Sequence, residues 1–171
     1  RGIKIKPLIS GGSQERQLRA GTENVAGIVG FAKALELAQK NKEKESARLA
    51  KLTAYLWSLL QKNVSGLTLN GPQIGTSRLP NNLNIAITGI EGEAALLYLD
   101  EYGIMCSTGS ACTAASIEPS HVLSAIGLNE KESHSSLRFT LGHCNTKKDI
   151  DYLMKIFPKI INQLNRSNQI K

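Results

Sequence analysis

The sequence predicts an α/β lobe in which a few short strands carry helices on one face. Three observations lead there. Apolar residues recur at helical spacing through a long stretch from about Asn24 to Asn63. The short runs "GLTLNGP", "NNLNIAI", "IMCS" and "LRFTLG" are brief, apolar and several of them set off by glycine or proline, as strands are. Helical and strand-like segments then follow one another along 171 residues, enough chain to bury a core.

In order, "RGIKIKPLI" reads as a short strand or extended arm, and "SGGSQERQLRAGTEN" as a polar loop of a length that usually has a function. The long helix follows, with Val25, Ile28, Val29, Ala32, Leu35 and Ala38 on one face and Leu49, Leu52, Leu56 and Leu59 continuing it. The charged "NKEKES" between the two sets is a solvated turn of one helix or a bend between two. Strands "GLTLNGP" and "NNLNIAI" lead to the helix "GEAALLYLDEYG", closed by Gly103 and opened by a predicted capping box of Thr88 and Glu91. Strand "IMCS", a loop of small residues, the short helix "PSHVLSAIG" and strand "LRFTLG" come next. Thr146 and Asp149 predict a second capping box for a last helix, which Pro158 should kink or divide.

Composition narrows the functional classes. No apolar run approaches the ~18 residues of a membrane span, and 41% hydrophobic with 20% charged residues is ordinary for a globular chain. Twenty-one Lys and Arg against fourteen Asp and Glu give a net charge of +7. The basic residues are scattered, and no aromatic side chains are interleaved to stack bases, so nucleic acid and membrane surfaces are not expected partners. Arg1 begins a segment with no signal-peptide pattern, and the chain reads as a piece of a longer one. Three cysteines fit a reducing, cytoplasmic compartment better than a disulfide framework.

Those thiols are the first candidates for chemistry. Cys112 lies in "STGSACTAAS", residues too small to build a core strand, so it is either an exposed nucleophile on a pliable loop or a buried structural thiol. Cys106 ends an apolar run and reads as a small core residue, and Cys144 in "GHCN" has no evident activator. The cysteines with His121, His134 and His143 lack the spacing of a zinc site. Arg138 puts a guanidinium in the middle of the apolar strand "SSLRFTLG". It needs an anion, either an internal carboxylate or that of a substrate. Thr22 in "RAGTEN" stands near a helix start, where it could cap the helix or help hold a phosphate.

Taken together, "GGSQERQLRAGTENV", "STGSACTAASIEPSHVL" and "SSLRFTLG" followed by "NTKKDID" closely resemble the C-terminal part of NifS/IscS-type cysteine desulfurases, from Arg1 to about Asn165. The resemblance implies the small C-terminal α/β domain of a PLP fold type I (aspartate-aminotransferase-like) enzyme plus the tail of its large domain. Residues 1–40 would be that tail, and residues 41–171 the small domain with the cysteine loop.

For the sites, the resemblance implies that Cys112 is the catalytic cysteine, taking sulfur from cofactor-bound L-cysteine as a persulfide and releasing L-alanine. It implies that Arg138 clamps the substrate carboxylate and that Thr22 reaches the pyridoxal 5'-phosphate of the other subunit in a homodimer. Sulfur would pass to an iron–sulfur scaffold or another acceptor protein, and Cys112 would transiently share a 2Fe–2S cluster with the scaffold. No histidine–lysine pair for the cofactor occurs in these residues, and Lys4 and Lys6 have no such context. The chain alone is therefore expected to be inactive. A selenocysteine-lyase branch and a non-catalytic sulfur-relay or scaffold-binding module are the alternatives, the first opposed by the long loop around Cys112.

Overall fold

The structure, a computed structural model, describes residues 3–108 and 120–168. It divides into two compact units, Arg1–Lys42 and Glu43–Lys171.

The first unit is mostly loop followed by the opening turns of a long helix. Residues 3–7 form no strand, so the arm predicted there is irregular, and a 3-10 turn, Gln14–Gln17, interrupts the polar loop. Within it Glu15, Arg16 and Gln17 hold φ of 48°, 56° and 66°, the left-handed region that side chains other than glycine disfavour. Helix α1, Val25–Asn63, then runs as one element through the charged "NKEKES". Asn24 starts it: its side-chain oxygen accepts from the Gly27 N–H at 3.0 Å. The apolar face predicted for its first half is not buried, Val25, Ile28, Val29 and Leu35 all being more than half exposed.

In the second unit the same helix buries Leu49, Thr53, Leu56 and Leu60, so the buried line passes through Leu60, with Leu59 partly covered. Strands β1 (Leu67–Leu69), β2 (Asn82–Ile87) and β3 (Ser136–Thr140) form one antiparallel sheet in that order. Leu83, Ile85 and Ile87 of β2, with Leu137 and Phe139 of β3, give the sheet an apolar face. Onto the same core pack α1, α2 (Gly92–Asp100) and α5 (Lys147–Asn168), through Leu56, Leu60, Ala95, Leu99, Phe157 and Ile161 among others. Phe139 meets Phe157 edge-to-face with centroids 5.8 Å apart. Polar ties fix the helices around this core: Thr53 donates to the Pro80 carbonyl at 2.7 Å, and Tyr55 to Asp151 at 2.6 Å.

Helices α3 (His121–Ala125) and α4 (Glu130–His134) are single short turns on the way to β3. α4 has no counterpart in the sequence reading, although Asn129 and Glu132 build a reciprocal capping box for it. The box predicted from Thr88 and Glu91 does not form. Glu91 is itself the cap, without a side-chain bond, because Thr88 is drawn to the β1 side through its N–H to the Gly66 carbonyl. Gly103 does close α2, at φ 69° with its N–H on the Asp100 carbonyl. At α5, Asp149 accepts from both the N–H and hydroxyl of Thr146. Pro158 does not divide that helix, which runs unbroken while Phe157, Ile160 and Ile161 stay buried around the proline. The predicted strand "IMCS" reduces to one bridge, Ser107 to Arg138.

Candidate functional site

The alternation that turns Leu137 and Phe139 into the core turns Ser136 and Arg138 to the opposite, polar face of the sheet. Arg138 is fixed from both sides. Its N–H donates to the Ser107 carbonyl at 2.7 Å and its carbonyl accepts from the Ser107 N–H at 3.1 Å. On its other side Asn84 of β2 is its register partner. Since both backbone groups of Arg138 are spent on Ser107, the Asn84 pairing is the close, non-hydrogen-bonded kind that brings side chains together.

Asn70 completes this face. Its N–H extends the ladder to the Asn84 carbonyl at 3.0 Å, and its carboxamide donates to Asn84 Oδ1 at 2.7 Å and Ser136 Oγ at 2.9 Å. Ser136, fully buried, donates in turn to the Glu132 carbonyl at 2.7 Å. The polar atoms under Arg138 are thus mutually satisfied, whereas the half-buried Arg138 guanidinium has neither hydrogen bond nor ion pair among the described residues. It lines a concavity of about 360 Å³ with Asn70, Arg78, Asn84, His121 and Ile126. A free guanidinium in such a hollow is suited to a planar anion held by two hydrogen bonds.

Cys112 lies outside the described residues. Of the other two thiols, Cys106 is half-buried against the core, and burial, with Asp100 adding to it, pushes its pKa up to about 11. It is a packing residue, as its sequence suggests. Cys144 is exposed, and the structure supplies the neighbour that the sequence reading did not see: His143 Nε2 stands 3.2 Å from its sulfur. The carbonyls of Gly142, His143 and Asn145 in that turn all accept from Arg48 of α1. No group of three metal-binding side chains occurs among the described residues.

Thr22 is exposed and lies three residues ahead of α1, so the capping role is taken by Asn24 and not by Thr22. Its carbonyl, with that of Gly21, receives Arg19 Nη1 at 3.1 and 2.9 Å, while its hydroxyl makes no hydrogen bond among the described residues. Gly21, at φ 101°, makes the turn just before it. An open hydroxyl beside a turned-back guanidinium fits one edge of pyridoxal phosphate, the phosphate. The exposed Lys4 and Lys6 lie in irregular chain and offer nothing shaped for the aldehyde end.

Arg78, Asn70 and Ser136 are members of the polar face that sequence reasoning missed. The available signal was "SRLPNN", an arginine at a loop position whose neighbours return the chain to a buried strand. Only the fold shows it turned inward.

Comparison with known proteins bears on this arrangement. The family model described as aminotransferase class-V matches residues 7–153. A protein named cysteine desulfurase IscS from Clostridium botulinum is 52% identical over 162 residues, 95% of this chain and 41% of the relative. A second of that name, from Dictyoglomus turgidum, is 51% identical over 96% of this chain and 41% of its own length. The chain therefore spans about two fifths of these relatives. Among solved structures, a NifS-like protein superposes with a TM-score of 0.77 at 35% identity, over 95% of this chain and 40% of that one. The NifS-like protein from Rickettsia africae gives 0.75 at 33% identity, over 94% of this chain and 41% of its own. The α/β architecture is a portion of the PLP fold type I enzymes to which those structures belong. With the match covering the sheet, the polar face and Thr22 alike, the chain belongs to the aminotransferase class-V family.

Proposed function

We propose that this chain is the C-terminal part of a pyridoxal 5'-phosphate-dependent cysteine desulfurase, in which Arg138 receives the carboxylate of L-cysteine and Cys112 takes its sulfur as a persulfide. The observation that carries the reading is Arg138 itself: held between Asn84 and Ser107, it presents to the hollow a guanidinium that, among the described residues, is unpaired and faces no carboxylate. The identity to proteins named as cysteine desulfurases supports it.

The roles follow from the chemistry of these side chains. Arg138 fixes the substrate carboxylate through paired N–H donors, which sets the orientation of the rest of the amino acid. The Cys112 thiolate attacks the substrate sulfur, so an S–S bond forms as the substrate C–S bond breaks and the carbon portion leaves as L-alanine after taking up protons. Pyridoxal phosphate, when bound, supplies the electron sink for breaking that C–S bond. Thr22 gives its hydroxyl to the cofactor phosphate, across the interface of a homodimer. Residues 1–40 then belong to the cofactor-binding domain and residues 41–171 to the small domain, a reading supported by the division of the chain into two units near the same point. The protein works in the cytoplasm, and its sulfur goes to an iron–sulfur scaffold or another acceptor protein. With the scaffold, Cys112 also holds a transient 2Fe–2S cluster.

The test is made in the longer protein that carries these residues. Cys112→Ser should abolish persulfide on the protein, read by mass spectrometry, while the cofactor's visible absorption persists. Arg138→Gln should raise KM for L-cysteine by about tenfold or more, the loss expected for a charge-assisted pair. Undiminished turnover by Cys112→Ser would refute the proposal.

A further inference from the structure

Arg138 is not the only cation at the concavity. Arg78 reaches the same hollow from the loop between β1 and β2, and its Nη2 donates to the Asn70 carbonyl. The approach depends on Gly71, at φ 80°, where a Cβ would stand 3.3 Å from that same Nη2. The other terminal nitrogen, Nη1, is shielded from water and has no acceptor among the described residues. Burial lowers the Arg78 pKa, with no carboxylate among the described residues acting in the opposite sense. Among the described residues no aspartate or glutamate lines the concavity, whose remaining wall includes the apolar Leu79, Val122 and Ile126.

A hydrogen bond to the Asn70 carbonyl needs only a neutral donor. A charge half-withdrawn from water, with no counter-ion among the described residues, is a cost that this structural duty does not require. Two guanidiniums on one hollow, with no counter-charge among its described lining residues, raise its potential by several times what either does alone in water, because the low-dielectric walls screen them less.

We propose that Arg78 is a second cationic anchor of this concavity and that, with Arg138, it makes the site selective for a short aliphatic carboxylate. Arg78 acts by its charge from the wall of the hollow, while Arg138 makes the direct contact. The apolar wall accepts the aliphatic part and disfavours a fully hydrated oxyanion such as phosphate. The inference rests on the proposed function only for the contact assigned to Arg138.

The experiment is an NMR titration of the 171-residue chain with propionate, its neutral analogue propionamide, and inorganic phosphate, at constant ionic strength. Propionate should bind about tenfold or more tightly than propionamide, and more tightly than phosphate. Arg78→Gln, which keeps a donor and removes the charge, should weaken propionate about fivefold and leave propionamide unchanged. Arg78→Lys, which keeps the charge, should stay within about twofold of the wild type. If Arg78→Gln loses amide dispersion, the wild-type salt dependence serves instead. Propionate affinity should fall as ionic strength rises from about 10 to about 150 mM, while propionamide affinity stays flat.

Equal propionate affinity in Arg78→Gln and wild type overturns the second anchor, and if Arg138→Met still loses binding the Arg138 clamp stands without it. The converse pattern, loss in Arg78→Gln and none in Arg138→Met, keeps the anchor and removes the clamp. Tighter binding of phosphate than propionate, or no propionate binding at all, overturns the inference.

Discussion

Cys106 and Cys144 are the same side chain in opposite environments, and their chemistry should divide accordingly. Cys106 packs beside the core with its pKa raised to about 11. At pH 8 only about a thousandth of it is thiolate, the form that reacts with alkylating agents. Cys144 is exposed with an imidazole nitrogen 3.2 Å away. Iodoacetamide followed by peptide mass mapping should label Cys144 at least about tenfold faster at pH 8, and the Cys106 rate should still be climbing at pH 10. Equal rates would refute the packing assignment. The sign for stability follows from the same shift: the folded thiol keeps its proton above the pH at which the unfolded one loses it, so Cys106 costs stability as pH rises from about 9 to about 11. Of the side chains at the site, Arg138 was legible in the sequence because a charge inside an apolar strand has few places to go. Arg78 was not, because an arginine in a loop of glycine, serine and threonine ordinarily faces water, and only its bond to the Asn70 carbonyl beside Gly71 turns it inward.

Elements were legible where a periodic pattern met punctuation. β1, β2, β3 and α2 stand where apolar spacing, glycine and proline put them, and α5 opens where Thr146 and Asp149 place it. What failed turned largely on neighbours distant in sequence: Thr88 is held by Gly66 on the β1 side instead of capping α2, and "IMCS" pairs through a single bridge at Ser107, while the local turn of α4, closed by Asn129 and Glu132, was passed over. The long apolar face of α1 was legible as helix and illegible as core, since periodicity does not say which half finds a partner. One close approach sets how α2 meets the site. A Cβ on Gly92 would lie 2.6 Å from the Ser136 carbonyl and 2.9 Å from that of His134, both backbone atoms that cannot rotate away. Gly92→Ala must therefore push α2 off the start of β3, two residues from Arg138, and should cost about 1–3 kcal/mol in urea unfolding. A variant as stable as wild type would show that α2 and β3 are not in such contact.

At the scale of the molecule, the two units differ in what holds them. Every residue of the buried apolar cluster, from Leu49 to Ile161, lies in Glu43–Lys171. Among the described residues of Arg1–Lys42 the buried hydrophobic one is Ala20, while Ile3, Leu8, Val25, Phe31 and other large apolar side chains are exposed. Burial of apolar area is the main favourable contribution to folding, so almost all of the chain's stability should reside in the second unit. That unit is also large enough to fold without a disulfide or metal. A chain of residues 43–171 should accordingly unfold cooperatively, with a midpoint within about 4 °C of the full 171 residues, the shift that about 1 kcal/mol produces. The same deletion removes the exposed apolar side chains, so it should bind less of a hydrophobic dye such as ANS than the full chain does. A truncated chain that melts without cooperativity, or only far below the parent, would mean that the first 42 residues contribute to the core, and the separation of the two units would have to be abandoned.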